Sequence, residues 1–337
     1  MVTPASEANG QRRRMLVCLD LSAASETCLP YAIALAQTFG SEVTLMHVMQ
    51  ARKDHLGPQA NDVLGWEISR QEARGYLGRI EAQVEKALGR RVDVRIEQGR
   101  PAERIVDVSR ELDADLTVIA SYGDGCVSPT GLGSTAQRIL ALLRGSVFVA
   151  HCSSPDSQKG ATKRILVPLD GSLRTESVLP AVARLANAHG AEIVLAHVVR
   201  SPAHTALLGA EGDMELAMKL TARLEASAKL YLQRVRLQLT GRGTSVRALV
   251  SRHVSEHQGL LETAQREQTD LIVLSAHGSA CDPARPVGSV TSFLLTHATM
   301  PLLVLQDLPE LALSGAQALD AKLSSAGLRA SYASESV

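Results

Sequence analysis

The sequence predicts an α/β protein with two tandem domains, each built on a doubly wound, five-stranded parallel sheet. Three observations support this fold class. The length of 337 residues suits two domains of about 150 residues each. Hydrophobic residues make up 45% of the chain but aromatic residues only 3%, which is the aliphatic composition of buried parallel strands and the helices that cover them. The third observation is an internal repeat.

The repeat divides the chain into two copies. The stretch that begins with Arg13 aligns with the one that begins with Lys163 at a constant offset of 150 residues (163 minus 13), which places Asp20 opposite Asp170. Further along, "ADLTVIASYG" aligns with "TDLIVLSAHG" at an offset of 155 residues, because copy two holds five more residues in between. So many matches in one order indicate a tandem duplication, and therefore the same fold twice.

Each copy alternates strand and helix patterns. In copy one the apolar runs predicted as strands are "MLVCLD", "EVTLMHV", "VDVRIE", "LTVIAS" and "SVFVAH". The predicted helices are 24–39, 65–88, 101–112 and 134–143, the first with Ser22 as N-cap, and copy two repeats the order with a long helix at 211–239. This alternation predicts right-handed βαβ units and a parallel sheet of strand order 3-2-1-4-5, covered by helices on both faces.

The repeat also predicts the domain boundaries. We expect a flexible N-terminus at residues 1–12, a first domain at 13–152, a linker at 153–162, a second domain at 163–308 and an Ala- and Ser-rich tail at 309–337. The fifth strand is an edge of each predicted sheet, and bare edges invite aggregation. Pairing the two edges about a pseudo-twofold axis protects both, so we expect the domains to pack as an intramolecular pseudo-dimer.

A candidate ligand site lies where the strand order reverses. In doubly wound sheets, ligands bind beyond the carboxyl ends of the strands at this switch point, here between strands 1 and 4. In each copy an aspartate ends strand 1, and strand 4 leads into a glycine, nine further residues and a Gly-Ser pair that opens a helix. Glycine lets the backbone approach an anion, and the unpaired N–H groups at a helix start bind it. The predicted site residues are Asp20, Gly123, Gly133 and Ser134 in copy one, and Asp170, Gly278, Gly288 and Ser289 in copy two.

Two other motifs carry less weight. "GLGSTA" matches a dinucleotide-binding fingerprint, but Gly131 follows its strand by about ten residues and Pro286 replaces it in copy two. "HVSEH", residues 253–257, matches an inverted zinc-protease pattern, yet it lies at a helix entry and has no third ligand at a convincing spacing. Incidental metal binding stays open for the histidines near the carboxyl ends of copy-two strands, His197, His253, His257 and His277.

Together these features resemble the universal stress proteins in their tandem form. The resemblance covers about residues 13–152 and 163–306 and rests on "VPLDGS", the "HV" that ends strand 2, "GRPAERI" and the loop of Gly, nine residues and Gly-Ser. It implies an adenine-nucleotide alpha-hydrolase-like fold that binds ATP at the loop, with the strand-1 aspartate near the adenine. The first glycine of the family loop is Ala120 in copy one and Ser275 in copy two. Copy one also has Leu21 where copy two keeps the family's glycine, so copy two fits the family pattern better.

The expected function is a stress-response regulator that binds ATP or another adenine nucleotide, with or without Mg²⁺, and signals its occupancy to protein partners. A second copy of the chain, forming a homodimer, is one candidate partner. Two alternatives stay open, a scaffold that acts through its surfaces without nucleotide and a weak ATP hydrolase. The loop region shows no dedicated general base, arginine finger or metal-binding carboxylate pair, so any hydrolysis is expected to be slow.

The charge and the cysteine content predict where in the cell the protein is found and which classes of partner it does not bind. The 35 basic and 35 acidic residues cancel, so no overall field attracts nucleic acid or an anionic membrane, and no apolar run is long enough to span a bilayer. Five cysteines without a framework spacing indicate free thiols in a reducing cytoplasm. Cys126 and Cys281 both stand three residues after the loop glycine and are candidate redox-sensitive residues.

Overall fold

The computed structural model describes residues 13–50, 63–123, 131–151, 162–201, 211–240, 244–282 and 284–306. The predicted N-terminus, most of the linker, the tail and Cys126 lie outside these ranges. Copy one contains β1 (Arg14–Cys18), α1 (Ala23–Glu26), α2 (Leu29–Phe39), β2 (Glu42–Met49), α3 (Val63–Leu88), β3 (Asp93–Gln98), α4 (Pro101–Glu111), β4 (Leu116–Ala120), α5 (Ser134–Leu142) and β5 (Ser146–Ala150).

Copy two repeats the same order of elements. It contains β6 (Arg164–Pro168), α6 (Leu173–Glu176), α7 (Leu179–His189), β7 (Glu192–Arg200), α8 (Glu211–Thr240), β8 (Val246–His253), α9 (Glu256–Arg266), β9 (Leu271–Ser275), α10 (Ser289–His297) and β10 (Leu302–Leu305). The five strands predicted for copy one are therefore found in both copies.

All ten strands join one sheet, in the order β3-β2-β1-β4-β5-β10-β9-β6-β7-β8. Each half has the predicted order 3-2-1-4-5, and its strands pair in parallel. The halves meet where β5 and β10 pair antiparallel, with Phe148 opposite Leu303. The predicted pairing of the two edges is confirmed, and it makes the two five-stranded sheets one continuous surface.

One predicted helix is two helices. Residues 24–39 form α1 and α2, which are separated at Thr27 and Cys28, and the second copy has the same break between α6 and α7. Pro30 lies in the first turn of α2, and Pro180 lies in the first turn of α7. Proline has no N–H to donate to the preceding turn, so a new helix begins beside it instead of the first one continuing.

Helices cover both faces of the sheet, and each face has a core that spans both copies. On one face α2, α3, α7 and α8 bury side chains such as Leu35, Leu77 and Leu232. On the other face α4, α5, α9 and α10 bury side chains such as Ile105 and Leu294. Because both cores run across the β5–β10 junction, the two copies form one packed body. Within the described residues, no helix is both long and apolar enough to cross a bilayer.

Candidate functional site

A cleft opens at the predicted switch point of each copy. The copy-one cleft has a volume of about 570 Å³ and lies at the carboxyl ends of β1, β2 and β4, beside the starts of α4 and α5. The copy-two cleft has a volume of about 280 Å³ at the corresponding position. Each cleft is lined by all four residues predicted for its copy. These are Asp20, Gly123, Gly133 and Ser134 in one and Asp170, Gly278, Gly288 and Ser289 in the other.

The aspartate and the first loop glycine touch in both copies. A Cβ atom added to Gly123 would lie 1.8 Å from Oδ2 of Asp20, and one added to Gly278 would lie 2.5 Å from Oδ2 of Asp170. Both distances are shorter than any real carbon–oxygen contact, so no side chain fits without displacing the carboxylate. Glycine is therefore required at these two positions by the close approach of the aspartate.

The second loop glycine has a different role. Gly133 and Gly288 are the N-caps of α5 and α10, with ordinary φ angles of −62° and −73°. A Cβ atom added at either residue would have its nearest neighbour at 3.4 Å, so the fold itself accommodates a Cβ atom there. Sequence reasoning left open whether Ser134 and Ser289 cap these helices, and the structure shows that they do not. Each is the first helical residue and is exposed at the cleft.

Hydrogen bonds hold Asp170 as a carboxylate. Burial opposes ionisation, but donors outweigh it and lower the pKa of Asp170 to about 2. Ser172 N donates to Oδ1 over 2.9 Å, Thr175 Oγ1 donates to Oδ1 over 2.9 Å, and Ser279 N donates to Oδ2 over 2.7 Å. The last of these bonds links the end of β6 to the loop that follows β9.

Copy one holds its aspartate by similar bonds but with a less favourable turn. Ser22 donates to Oδ1 of Asp20 from its N atom over 3.0 Å and from its Oγ atom over 2.5 Å. Between them, Leu21 has a φ of 69°, and its counterpart Gly171 has a φ of 90°. A left-handed backbone conformation suits glycine but strains leucine. The "DLS" of copy one therefore adopts the same turn as the "DGS" of copy two at a cost in conformational energy.

Two histidines line the clefts, one in each copy. His47 Nδ1 donates to the Leu19 carbonyl over 2.9 Å, and His197 Nδ1 donates to the Leu169 carbonyl over 2.7 Å. Burial lowers the pKa of His47 below its usual value, so the ring is neutral and its Nε2 atom is an acceptor. The sequence predicts both as buried, hydrogen-bonded residues. The hydrogen bonds are confirmed in both copies, but only His47 is buried, whereas His197 is half-buried. Their place in the cleft could have been read from their position at the end of strand 2.

Three further differences between the clefts were not predicted from the sequence. Ser121 lines the copy-one cleft, and its buried hydroxyl has no hydrogen-bond partner within the described structure, whereas copy two has Ala276 at this position. Thr135, exposed at the start of α5, lines the first cleft where Val290 lines the second. Glu256 lines the second cleft and occupies the position of Pro101, so copy two presents an additional carboxylate.

The copy-two loop is bound to its own surroundings. Ser275 Oγ donates to the His277 carbonyl, and Thr291 Oγ1 donates to the Ser275 carbonyl over 3.0 Å. His277 Nε2 donates to the carbonyl of Arg285 over 2.8 Å. Copy one has Ala120 and Ala136 in place of the two hydroxyl residues, so it lacks these bonds. The Arg285 side chain pairs with Asp282 at 3.4 Å and is not among the residues that line the cleft.

The "HVSEH" stretch does not form a zinc site. His253 is the last residue of β8 and His257 is the second residue of α9, so the two do not share one helix face. His253 Nε2 lies 3.4 Å from Glu262 instead. Across the ranges that the structure describes, no group of three or more His, Cys, Asp or Glu residues could hold a metal ion.

The cysteines differ in exposure. Cys281 is half-buried in the loop after β9, and its predicted equivalent Cys126 lies outside the described residues. Cys18 and Cys28 are buried, and burial raises the pKa of both thiols, that of Cys28 to about 12. The two buried thiols are therefore unreactive.

A model of the universal stress protein family matches residues 11–151 and again residues 161–306. The chain belongs to this family. A universal stress protein of Mycolicibacterium smegmatis is 27% identical over 303 residues, which cover 87% of this chain and 96% of the relative. One of Thermus aquaticus is 30% identical over 131 residues, 38% of this chain and 91% of the relative.

Solved structures of the family share the fold. A universal stress protein of Archaeoglobus fulgidus superposes with a TM-score of 0.62 at 19% identity, over 88% of this chain and all of that one. A putative universal stress protein of Pseudomonas aeruginosa superposes with a TM-score of 0.55 at 16% identity, over 92% of this chain and 98% of that one. The tandem universal stress protein architecture thus accounts for both copies of this chain.

Proposed function

We propose that this universal stress protein binds ATP or another adenine nucleotide in its clefts and acts as a regulator in the stress response. One observation carries the proposal. In both copies the strand-end aspartate, the glycine that touches it and the Gly-Ser pair at a helix start line a single cleft at the switch point.

The helix starts suit a phosphate group. α5 and α10 each have nine residues and a glycine N-cap that makes no side-chain hydrogen bond. The first N–H groups of a helix lack partners within it, and the helix dipole adds positive potential at that end. Because Gly133 and Gly288 carry no side chain, an anion can approach these groups closely. Ser134 and Ser289 add an exposed hydroxyl beside each.

The cleft floor suits a planar base. In copy one it is formed by apolar side chains that belong to the core on one face of the sheet, Met46, Val48, Ile105, Ile119 and Ile139. Among them, the neutral ring of His47 presents Nε2 as an acceptor, and the Asp20 carboxylate lies at the rim. An acceptor and a carboxylate beside an apolar floor match the amino and hydroxyl donors of an adenine nucleoside.

The geometry favours copy one as the tighter site. Its cleft is about twice as large, and the unpaired hydroxyl of Ser121 offers a hydrogen bond to a ligand. In copy two the additional carboxylate of Glu256 repels an anion. The family pattern alone favours copy two, because of Gly171, so the two criteria make opposite predictions. A cleft of 300 to 1,000 Å³ is the usual size for a small-molecule site, which agrees with copy one.

Occupancy can be signalled through the loop that follows β4 or β9. In copy two this loop contacts Asp170 through Ser279 and α10 through Gly288, so it joins the two sides of the cleft. A ligand held between them would change the loop's exposed surface, which protein partners could recognise. Any Mg²⁺ would be bound through the nucleotide's phosphates, since the described residues supply no metal cluster of their own.

Slow hydrolysis remains a second candidate activity, and a nucleotide-free scaffold a third. No Lys or Arg side chain lines either cleft within the described residues, so no side-chain cation stabilises the charge of a phosphoryl-transfer transition state. We therefore expect turnover far below the usual enzyme median of about ten per second.

Calorimetry with ATP, AMP and cyclic AMP tests the proposal. We expect affinity in the micromolar class, about −8 kcal/mol, for at least one of them. Adenine nucleotide identified by mass spectrometry in the purified protein would support it. If none of the three binds at millimolar concentration and none co-purifies, the nucleotide proposal is wrong. A scaffold that acts without nucleotide is then the favoured alternative.

A further inference from the structure

Copy one holds two neighbouring polar side chains that are buried without a hydrogen bond. Ser121 follows β4 and His151 follows β5, and each is 1% exposed. The Ser121 hydroxyl and both ring nitrogens of His151 are buried, and none of these three atoms has a hydrogen-bond partner within the described residues. Buried polar groups of native proteins are nearly always paired, so these atoms require an explanation.

The strand register places the two side chains next to each other. β4 and β5 pair in parallel up to Ala120 and Ala150. Ser121 N donates to the Ala150 carbonyl over 2.7 Å, so the ladder continues and sets Ser121 opposite His151. Both follow strand residues that belong to the core under α4 and α5, so both face that side of the sheet. Because neighbouring strands are about 4.8 Å apart, rotation about side-chain bonds is enough to bring the two groups into hydrogen-bond contact.

The pair lies directly beneath the start of α5. Gly133, the N-cap of this helix, donates its N–H to the Ser121 carbonyl over 2.8 Å. Ser121 also lines the copy-one cleft, whereas His151 is not among its lining residues. A ligand bound at the helix start can therefore contact the Ser121 hydroxyl, and it is connected to His151 through this hydroxyl.

Copy two has neither group. At the offset of 155 residues, Ala276 occupies the position of Ser121 (276 minus 121). At the same offset, Gln306 occupies the position of His151 (306 minus 151). The Gln306 side chain donates to the carbonyl of Pro286 over 3.4 Å, in the loop that leads to α10. The common fold thus accepts an alanine and a hydrogen-bonded amide here, and it requires neither the hydroxyl nor the imidazole.

The copy-one cleft has no permanent side-chain cation for an anionic ligand. Across the part of the chain that the structure describes, no Lys or Arg side chain lines it. The titratable residues that line it are Cys18, Asp20, His47 and Tyr122. Of these only His47 can become positive, and it lies on β2, two strands from β4. His151 follows the strand next to β4, so it can supply a positive charge beside the start of α5.

We propose that the Ser121 hydroxyl contacts a phosphate group of the nucleotide in the copy-one cleft, and that His151 positions this hydroxyl by taking up a proton when the nucleotide binds. The proposal rests on the proposed nucleotide binding in this cleft. The proton comes from solvent. Both ring nitrogens of a protonated histidine are donors, so one of them can donate to Ser121 Oγ, and the Ser121 hydroxyl then donates its own proton to a phosphate oxygen.

The surroundings of His151 leave its charge to be set by the ligand. Burial alone lowers its pKa from 6.5 to about 4, and no charged side chain in the described ranges contributes to this pKa. On this face of the sheet, β10, α5 and α10 contribute apolar side chains to the core, Met300, Ile139, Leu140, Leu294 and Leu295. A phosphate anion next to Ser121 favours the charged ring and raises the pKa of His151. Affinity therefore increases as the pH falls from the pKa of the bound state towards about 4.

Calorimetry of the full chain with ATP, in two buffers of different ionisation enthalpy, measures the protons taken up on binding. The phosphate of ATP titrates near pH 6 as well, so the wild type is compared with variants in which this contribution is the same. The variants His151→Gln and Ser121→Ala each introduce the residue of copy two. If binding raises the pKa of His151 to about 6, both should take up about half a proton less per protein molecule than the wild type at pH 6. At pH 8 all three proteins should take up the same number of protons.

His189→Gln is the matched control, because His189 is a half-buried histidine at the end of α7 and is not among the described residues that line either cleft. It should take up protons like the wild type, and thermal midpoints check that every variant is folded. If ATP binds and all variants take up as many protons as the wild type at pH 6, the proposal is wrong while nucleotide binding stands. If only His151→Gln takes up fewer protons, Ser121 is not the contact and the proposed pair is wrong. If the wild type does not bind ATP at millimolar concentration, both this proposal and nucleotide binding are wrong.

Discussion

The Oδ2 atom of Asp170 accepts a hydrogen bond from Ser279 N over 2.7 Å, directly beside the α-carbon of Gly278. This contact joins the end of β6 to the loop after β9, and the sequence already placed both at the switch point. It also explains why a glycine precedes Ser279. A side chain at Gly278 would occupy the space that the carboxylate fills.

Gly278→Ala should therefore displace the Asp170 carboxylate and raise its pKa. A carboxylate whose folded pKa is depressed stabilises the fold above its unfolded pKa of about 3.9, and this contribution disappears as the pH falls towards the folded value. In the wild type, with a folded pKa of about 2, the loss falls between about pH 4 and pH 2. In the variant the loss should be smaller. NMR titration of Asp170 and urea unfolding across this range measure both effects.

Gly288→Ala is the control for this change, since an added Cβ has its nearest neighbour at 3.4 Å there. The control should keep the wild-type pKa of Asp170. If both variants titrate like the wild type, the contact does not set the pKa.

Valine at the helix-start glycines should abolish nucleotide binding without unfolding the protein. Gly133 and Gly288 have ordinary φ angles and room for a Cβ atom, and a valine side chain would project beside the N–H groups proposed to hold the phosphates. We expect each variant to lose its own site, a decrease in affinity of at least about 100-fold, or roughly 2.7 kcal/mol. Calorimetry of Gly133→Val, Gly288→Val and the double variant measures the stoichiometry site by site.

Gly145→Val is the matched control, because Gly145 precedes β5 and lines neither cleft. It should bind like the wild type. Unchanged affinity in the double variant would contradict the proposed phosphate position.

Much of the fold could be predicted because the duplication supplies each pattern twice. The order 3-2-1-4-5 and the four loop residues of each cleft follow from strand periodicity and from the offsets of 150 and 155 residues. The break between α1 and α2 was also readable in principle from Pro30, but an apolar period that continues through residues 24–39 concealed it.

What could not be predicted depends on contacts between distant residues. Gly123 and Gly133 look alike in sequence, yet one is required by the approach of Asp20 and the other leaves the helix start open. Similarly, the lining of each cleft depends on residues far apart in the chain, such as Asp170 and Glu256 in copy two. Local patterns do not carry such information.

Alanine should have opposite effects at two glycines with equally open surroundings. Neither Gly171 nor Gly78 has an atom within 4 Å of an added Cβ. Gly171 has a φ of 90°, so Gly171→Ala should destabilise the fold by about 1 kcal/mol through backbone strain. Gly78 lies inside α3, so Gly78→Ala should stabilise it by about 0.5–1 kcal/mol. Urea unfolding at neutral pH measures both, and equal signs would show that backbone conformation does not govern these positions.

His151 should make the protein sensitive to mild acid. It is buried at the end of β5, neither ring nitrogen has a hydrogen-bond partner in the described structure, and burial lowers its pKa from 6.5 to about 4. The unfolded chain therefore binds a proton before the folded one does, and stability decreases as the pH falls from about 6.5 to about 4. The decrease is at most about 3 kcal/mol.

His151→Gln removes this titration and introduces the residue that copy two has at the matching position, Gln306. The variant should lose less stability than the wild type between pH 6.5 and pH 4, as measured by urea unfolding at each pH. His189→Gln serves as the comparison, because burial lowers the pKa of His189 as well. Identical pH profiles for His151→Gln and the wild type would show that His151 does not control the loss of stability between pH 6.5 and pH 4.

Cys281 should react with thiol reagents faster than the two buried cysteines, and bound nucleotide should protect it. Cys281 is half-buried in the loop whose neighbouring residues line the copy-two cleft, whereas burial raises the thiol pKa of Cys18 and Cys28 and keeps reagents away. We propose that oxidation of Cys281, and of Cys126 at the equivalent position of copy one, alters loop closure and thereby nucleotide affinity. Mass spectrometry after timed labelling with iodoacetamide, with and without ATP, resolves the rate at each cysteine.

Cys281→Ser separates reactivity from structure, because serine keeps the size of the side chain but removes the thiol. In this variant peroxide should no longer change the affinity of copy two for ATP, while Cys28→Ser should respond like the wild type. If Cys281 labels no faster than Cys28, or if ATP does not slow its labelling, the loop thiol has no part in nucleotide binding.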